Sequence, residues 1–184
     1  PSGTMRILVT TGMPGAGKEE FLLICQAKGA KVVRMGDIVR ERVKELGLDS
    51  TDNSVGTLAN EERKRYGMDI WAKRTIPFVG GDLVVIDGTR GPDEVRAFKH
   101  AFGENLQVVA IYSSPKTRFD RLKVRCRGDC PTTPTEFEQR EKRELTWGLG
   151  DVIATADHMV VNEGTLEDLK VEVVRLLDKI LAKR

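Results

Sequence analysis

The 184-residue chain has the length of one domain, and a chain of that size buries enough surface to fold without disulfide or metal support. Charged residues make up 32%, but 30 Lys and Arg stand against 28 Asp and Glu. A net charge of +2 excludes general attraction to polyanions while leaving room for a phosphate-sized anion site, and 5% aromatics are too few for the stacking platforms of a single-stranded nucleic acid binder.

Residues 1–4 precede Met5 and are expected to be an appended remnant, so that the single domain runs over 5–184. From there short β-branched runs alternate with stretches of helical period, the pattern of βαβ units around a parallel sheet covered on both faces. Strands are predicted at 6–11, 31–35, 83–87, 106–113 and 158–161. Helices are predicted at 18–28, 37–46, 57–66, 68–79, 92–102, 115–125, 135–145 and 166–182. The last has the clearest period, with Leu166, Leu169, Val173, Leu176, Leu177 and Ile180 returning on one face.

Two intervals do not read as plain crossovers. Residues 47–67 open with the polar run Ser50, Thr51, Asp52, Asn53 and Ser54 before turning helical, and 128–135 is a turn-rich loop with Pro131 and Pro134 between two Arg-dense helices. Both are expected at the carboxyl edge of the sheet, where open α/β sheets place ligands. No apolar run approaches the roughly 18 residues needed to cross a bilayer. Cys25, Cys126 and Cys130 form an odd set without a disulfide framework, which fits a reduced cytoplasm.

The chemistry is concentrated in Gly12, Met13, Pro14, Gly15, Ala16, Gly17 and Lys18, which follow a predicted strand and open a predicted helix. In that context glycines let backbone amides surround a phosphate chain, the helix N-terminus adds partial positive charge, and the lysine reaches the outer phosphates. Glu19 stands where many such loops carry the Ser or Thr that holds Mg2+.

The loop resembles that of adenylate kinases, and the resemblance extends along the chain. Gly36, Asp37, Ile38, Val39 and Arg40 are similar to the start of the acceptor-site helix of that family, and Asp87, Gly88, Thr89 and Arg90 to its third strand end. Asp120, Arg121 and Arg125 resemble the approach to its lid, and Arg140 and Arg143 the helix beyond it. The resemblance implies a three-layer α/β P-loop NTPase fold with a five-stranded parallel sheet in the order 2-3-1-4-5, an acceptor insert at 47–67 and a short lid at 127–135.

It further implies that ATP binds over residues 12–19 with Mg2+, and that the acceptor is a nucleoside monophosphate such as AMP or a similar phosphorylated molecule. Lys18, Asp87, Arg121 and Arg125 would be catalytic, Asp87 reaching Mg2+ through water. Asp37, Arg40 and Arg90 would serve the acceptor, and Arg127, Arg140 and Arg143 the lid.

The segment 156–169 is closer to dephospho-CoA kinases, which phosphorylate a hydroxyl. Under that alternative Asp37 is a general base rather than a helix cap. A slow ATP-binding switch is a third reading, favoured by Glu19. Arg118, Arg121, Arg125, Arg127, Arg140 and Arg143 also fit solvated helix faces paired with Glu136, Glu138, Glu141 and Glu144. Glu94 occupies the position four after Arg90, where adenylate kinases that read adenine carry Gln. Cys126 and Cys130 lack the further ligands of a zinc site, and His100 and His158 have no nucleophile partner.

Overall fold

The computed structural model describes residues 5–125 and 131–182. Five strands, β1 (Arg6–Thr11), β2 (Lys31–Arg34), β3 (Leu83–Asp87), β4 (Leu106–Tyr112) and β5 (His158–Val161), form one parallel sheet in the order β2-β3-β1-β4-β5. This is the three-layer P-loop NTPase arrangement expected from the sequence. Alternation along the strands sends Ile7, Val9, Val84 and Ile86 to one face and Leu8, Leu83, Val85 and Ile111 to the other.

The second of these faces is covered by α1 (Lys18–Ala27) and α9 (Leu166–Ala182), through Phe21, Leu22, Leu169, Val173 and Leu177. The first is covered by α2 (Met35–Glu45), α3 (Asp52–Tyr66), α4 (Ile70–Thr75) and α5 (Pro92–Phe102), with Met35, Val39, Trp71 and Phe98 in its core. Helices α6 (Pro115–Arg125) and α7 (Pro134–Thr146) leave from the carboxyl end of β4 and frame that edge of the sheet. Among the described residues, no helix is long and apolar enough to cross a membrane.

Element boundaries depart from the sequence reading for local reasons. Helix α3 starts at Asp52 rather than 57 because Thr51 and Ser54 form a capping box, which accounts for the polar run there. Thr133 and Glu136 do the same for α7, with Pro134 in its first turn. The predicted helix 68–79 ends its α-helical part at Thr75 and continues as a 3-10 turn over Ile76–Phe78, since Pro77 has no N–H to donate.

A short helix, α8 (Leu149–Ala154), has no counterpart in the sequence reading; buried Val152 holds it against the sheet despite two glycines at its start. One correction bears on function. Helix α2 begins at Met35, with Arg34 rather than Asp37 at its N-cap, so Asp37 lies inside the first turn and caps nothing.

Phe98 is fully buried between α5 and the sheet. Phe98→Ala is expected to cost about 3–5 kcal/mol in urea unfolding, against under about 0.5 kcal/mol for Leu166→Ala at an exposed position.

Candidate active site at the carboxyl edge of the sheet

The loop from Gly12 to Gly17 joins β1 to α1, and its shape requires glycine. Gly15 and Gly17 have φ of +83° and +102°, and Gly17 forms the left-handed N-cap of α1. The loop is braced from behind. Arg118 Nη1 donates to Pro14 O at 3.3 Å, Arg121 Nη1 to Gly15 O at 3.3 Å, and Asn162 Nδ2 to Ala16 O at 2.9 Å. With those carbonyls pulled toward α6 and the end of β5, the planar trans peptides turn the following N–H groups of Gly15 and Gly17 the opposite way.

Arg118 is itself buried. Its Nε donates to Ser113 O at 2.9 Å, and its two Nη atoms form a fork on Glu141 of α7 at 2.5 and 2.8 Å. Arg121 also donates to Ser113 Oγ at 2.8 Å and to Asn162 O at 2.8 Å.

The assignment of Arg121 to a transferring group therefore changes: its guanidinium is committed to loop and strand ends behind the site. Arg118, which no motif singled out, shares that task. The charged pattern of α6 and α7 could not reveal this, since spacing does not say which arginine turns toward the sheet.

In front of the loop lies a cleft of about 770 Å3, within the size range of small-ligand sites. Its wall includes Gly12, Pro14, Gly15, Gly17, Lys18 and Glu19 from the loop side, and Gly36, Val39 and Arg40 from α2. Val55, Gly56, Ala59, Asn60 and Arg63 come from α3, Asp87 and Arg90 from the end of β3, and Arg125, Arg140, Arg143 and Trp147 from α6 and α7. Of the predicted site residues, Met13, Ala16, Asp37 and Arg121 do not line it, and Arg127 lies outside the described residues along with Cys126 and Cys130. Asp37 faces a shallower groove with Phe78 and Val79 and pairs with Arg40 at 3.3 Å.

Carboxylates hold many of the cleft's cations. Arg90 Nη1 donates to Glu144 Oε2 at 2.7 Å. Glu94 is buried, accepts the Arg90 backbone N–H at 2.6 Å and pairs with Arg63 Nη2 at 3.1 Å, while the Arg63 guanidinium stacks on Trp147 at 5.3 Å. A glutamate at position 94 is thus a fixed structural acceptor.

Glu19 forms a two-point pair with Arg34, at 2.8 and 3.0 Å, and Arg34 also reaches Asp87 at 3.2 Å. Arg125 lies 3.6 Å from Glu20. Burial pushes the Cys25 thiol up to about 12, which leaves it unreactive. Among the described residues, no three His, Cys, Asp or Glu side chains gather into a metal cage.

Residues 11–138 match the profile of an AAA domain. A UPF0200 protein of Thermoplasma acidophilum is 46% identical over 172 residues, spanning 93% of this chain and 94% of that protein. A UPF0200 protein of Thermococcus kodakarensis is 42% identical over 183 residues, spanning 96% and 99%. Among solved structures, a shikimate kinase from Bacteroides thetaiotaomicron superposes with a TM-score of 0.65 at 16% identity over 95% of this chain and 99% of that one. A gluconokinase from Sinorhizobium meliloti superposes at 0.60 and 16% identity over 97% and 95%. At such identities the likeness is one of fold.

Lys18 Nζ folds back onto Gly12 O at 2.6 Å and Met13 O at 3.3 Å, and burial lowers its pKa to about 8, with Asp87 opposing the shift and Arg90 adding to it. Below pH 8 the amine is charged; above it a bound polyphosphate must draw in a proton. Affinity for inorganic tripolyphosphate is expected to fall by up to about tenfold per pH unit above 8 relative to Lys18→Arg, whose guanidinium does not titrate there and which cancels the ligand's own titration. Calorimetry of both proteins across pH 8 checks this.

Proposed function

The chain belongs to the UPF0200 family and carries an AAA domain, and on that premise we propose that it is an ATP-dependent phosphotransferase acting on a nucleoside monophosphate or a similar small phosphorylated acceptor. One observation carries this reading: a single cleft is walled both by a phosphate-type loop and by arginines from α2, α3, β3, α6 and α7. Phosphoryl transfer asks an enzyme chiefly to align two anionic groups and to balance the charge between them.

In this proposal the loop over residues 12–19 holds the donor phosphates, through backbone N–H groups other than that of Ala16, which goes to Met13 O, and of Pro14, which has none, and through the Lys18 amine. Arg40 and Arg90 grip the acceptor phosphate, and Arg125, Arg140 and Arg143 flank the moving group. Arg118 and Arg121 keep the loop in shape. The oxygen donors near Lys18, namely Asp87, Glu19 and the buried Thr10 hydroxyl, which has no partner among the described residues, fit a hard cation such as Mg2+. When bound with ATP, Mg2+ supplies charge neutralisation at the phosphates. A phosphate acceptor is already ionised and needs no general base.

The contact between Asp37 and Arg40, and the absence of Asp37 from the cleft wall, favour a phosphate acceptor over a hydroxyl one. The slow-switch reading loses support because the charge of Glu19 is balanced by Arg34. Incubation with ATP and a panel of nucleoside monophosphates, other phosphorylated acceptors and alcohols, read by product mass, decides among the three. The proposal requires a phosphorylated acceptor to gain a phosphoryl group; product from alcohols alone would refute it.

Arg40→Ala and Arg90→Ala are each expected to weaken acceptor binding by roughly 10- to 150-fold, with ATP affinity nearly unchanged, as equilibrium titration of each ligand would show. Asp37→Asn is expected to leave turnover within about threefold of the parent, whereas loss of a general base would lower it by about 10²- to 10⁴-fold.

A further inference from the structure

We infer that the guanidinium of Arg34 holds the place of the divalent cation between Glu19 and Asp87 until metal arrives. The inference rests on the donor loop of the proposed function but not on the identity of the acceptor.

The register of the sheet brings the three side chains together. Arg34 closes β2 opposite Asp87 on β3, and α1, which covers the same face as Val85, delivers Glu19 from its first turn. Nη1 of Arg34 lies 3.0 Å from Glu19 Oε2 and 3.2 Å from Asp87 Oδ2, while Nη2 lies 2.8 Å from Glu19 Oε1. Two carboxylates from different elements thus converge on one nitrogen. Without a cation between them they would repel, and the guanidinium supplies one positive charge against two negative ones.

An independent feature marks the place as a ligand site. Thr10 follows Val9, which pairs with Ile86, so Thr10 stands beside Asp87 in the sheet. Its residue is 1% exposed, it lines the cleft, and its hydroxyl has no hydrogen-bond partner among the described residues. Buried hydroxyls are nearly always satisfied, and a cation or its water shell would satisfy this one. The donor set is entirely oxygen, which selects hard ions of the Mg2+ and Mn2+ type over zinc.

Glu19 is thereby explained. A carboxylate directly after Lys18 would repel phosphate if left bare. Paired with Arg34 its repulsion of an arriving anion is reduced, and released from Arg34 it is a stronger cation ligand than the hydroxyl it replaces. Arg34 is the competitor that keeps the pair from taking up metal in the absence of nucleotide.

The test is Mn2+ binding to nucleotide-free protein, followed by the EPR signal of free Mn2+. Arg34→Gln is expected to bind Mn2+ about tenfold or more tightly than the parent, because charge-assisted contacts to both carboxylates no longer have to be broken. Adding Glu19→Gln to that variant should return affinity to the parental value or below. Arg34→Lys, which cannot make the two-point fork, should show an intermediate gain and carries the test alone if Arg34→Gln does not fold. Unchanged or weaker Mn2+ binding in a folded Arg34 variant overturns the inference, as does a gain that survives loss of Glu19. The titration contains no nucleotide, so failure of the kinase reading would show separately, as absence of product in the acceptor panel.

Discussion

A loop can offer amides to an anion only if its carbonyls are held the other way, and this constraint reaches through much of the molecule. The carbonyls of Pro14, Gly15 and Ala16 are held by Arg118, Arg121, Ser113 and Asn162, which come from α6, the end of β4 and the end of β5. A Cβ on Gly15 would approach the Arg118 carbonyl to 2.9 Å, so the glycine is required by packing as well as by its positive φ. The second half of the chain therefore holds the first motif in shape.

The same economy of charge runs along and behind the cleft. Arginine is well suited to anionic ligands, but a cluster of arginines facing empty solvent repels itself. Here Arg34 rests on Glu19 and Asp87, Arg63 on Glu94, Arg90 on Glu144, and Arg118 on Glu141. The half-exposed pairs contribute little to stability and leave their arginines available to a ligand. The buried Arg63–Glu94 pair instead fixes position, since removing either partner would strand a charge in a dry environment.

Much of the fold was legible because it is local. β-branched runs, glycines before a lysine and the apolar stripe of α9 each impose their geometry on neighbouring residues, and the five strands lie within a residue of where the sequence reading placed them. The capping boxes of α3 and α7 are equally local but hidden, because Thr51 and Thr133 sit in polar runs that read as loops. Helix α8 was not legible at all, since six residues have no helical tendency strong enough to stand without the sheet beneath them.

The sequence by itself determined the phosphate-type loop, the parallel sheet and the placing of arginines near its carboxyl edge, because spacing along a chain dictates which backbone conformations and faces are available. Only the tertiary structure decided what each charged side chain does. Arg121 and Arg125 lie one helical turn apart on α6, yet one braces the loop from behind and the other lines the cleft. Asp37 looked like a cap and is a partner of Arg40. Glu19 looked like a defect and is half of an ion pair with Arg34, fifteen residues away. Such roles depend on where three or four separate elements meet, and long side chains reach across distances that no local pattern records.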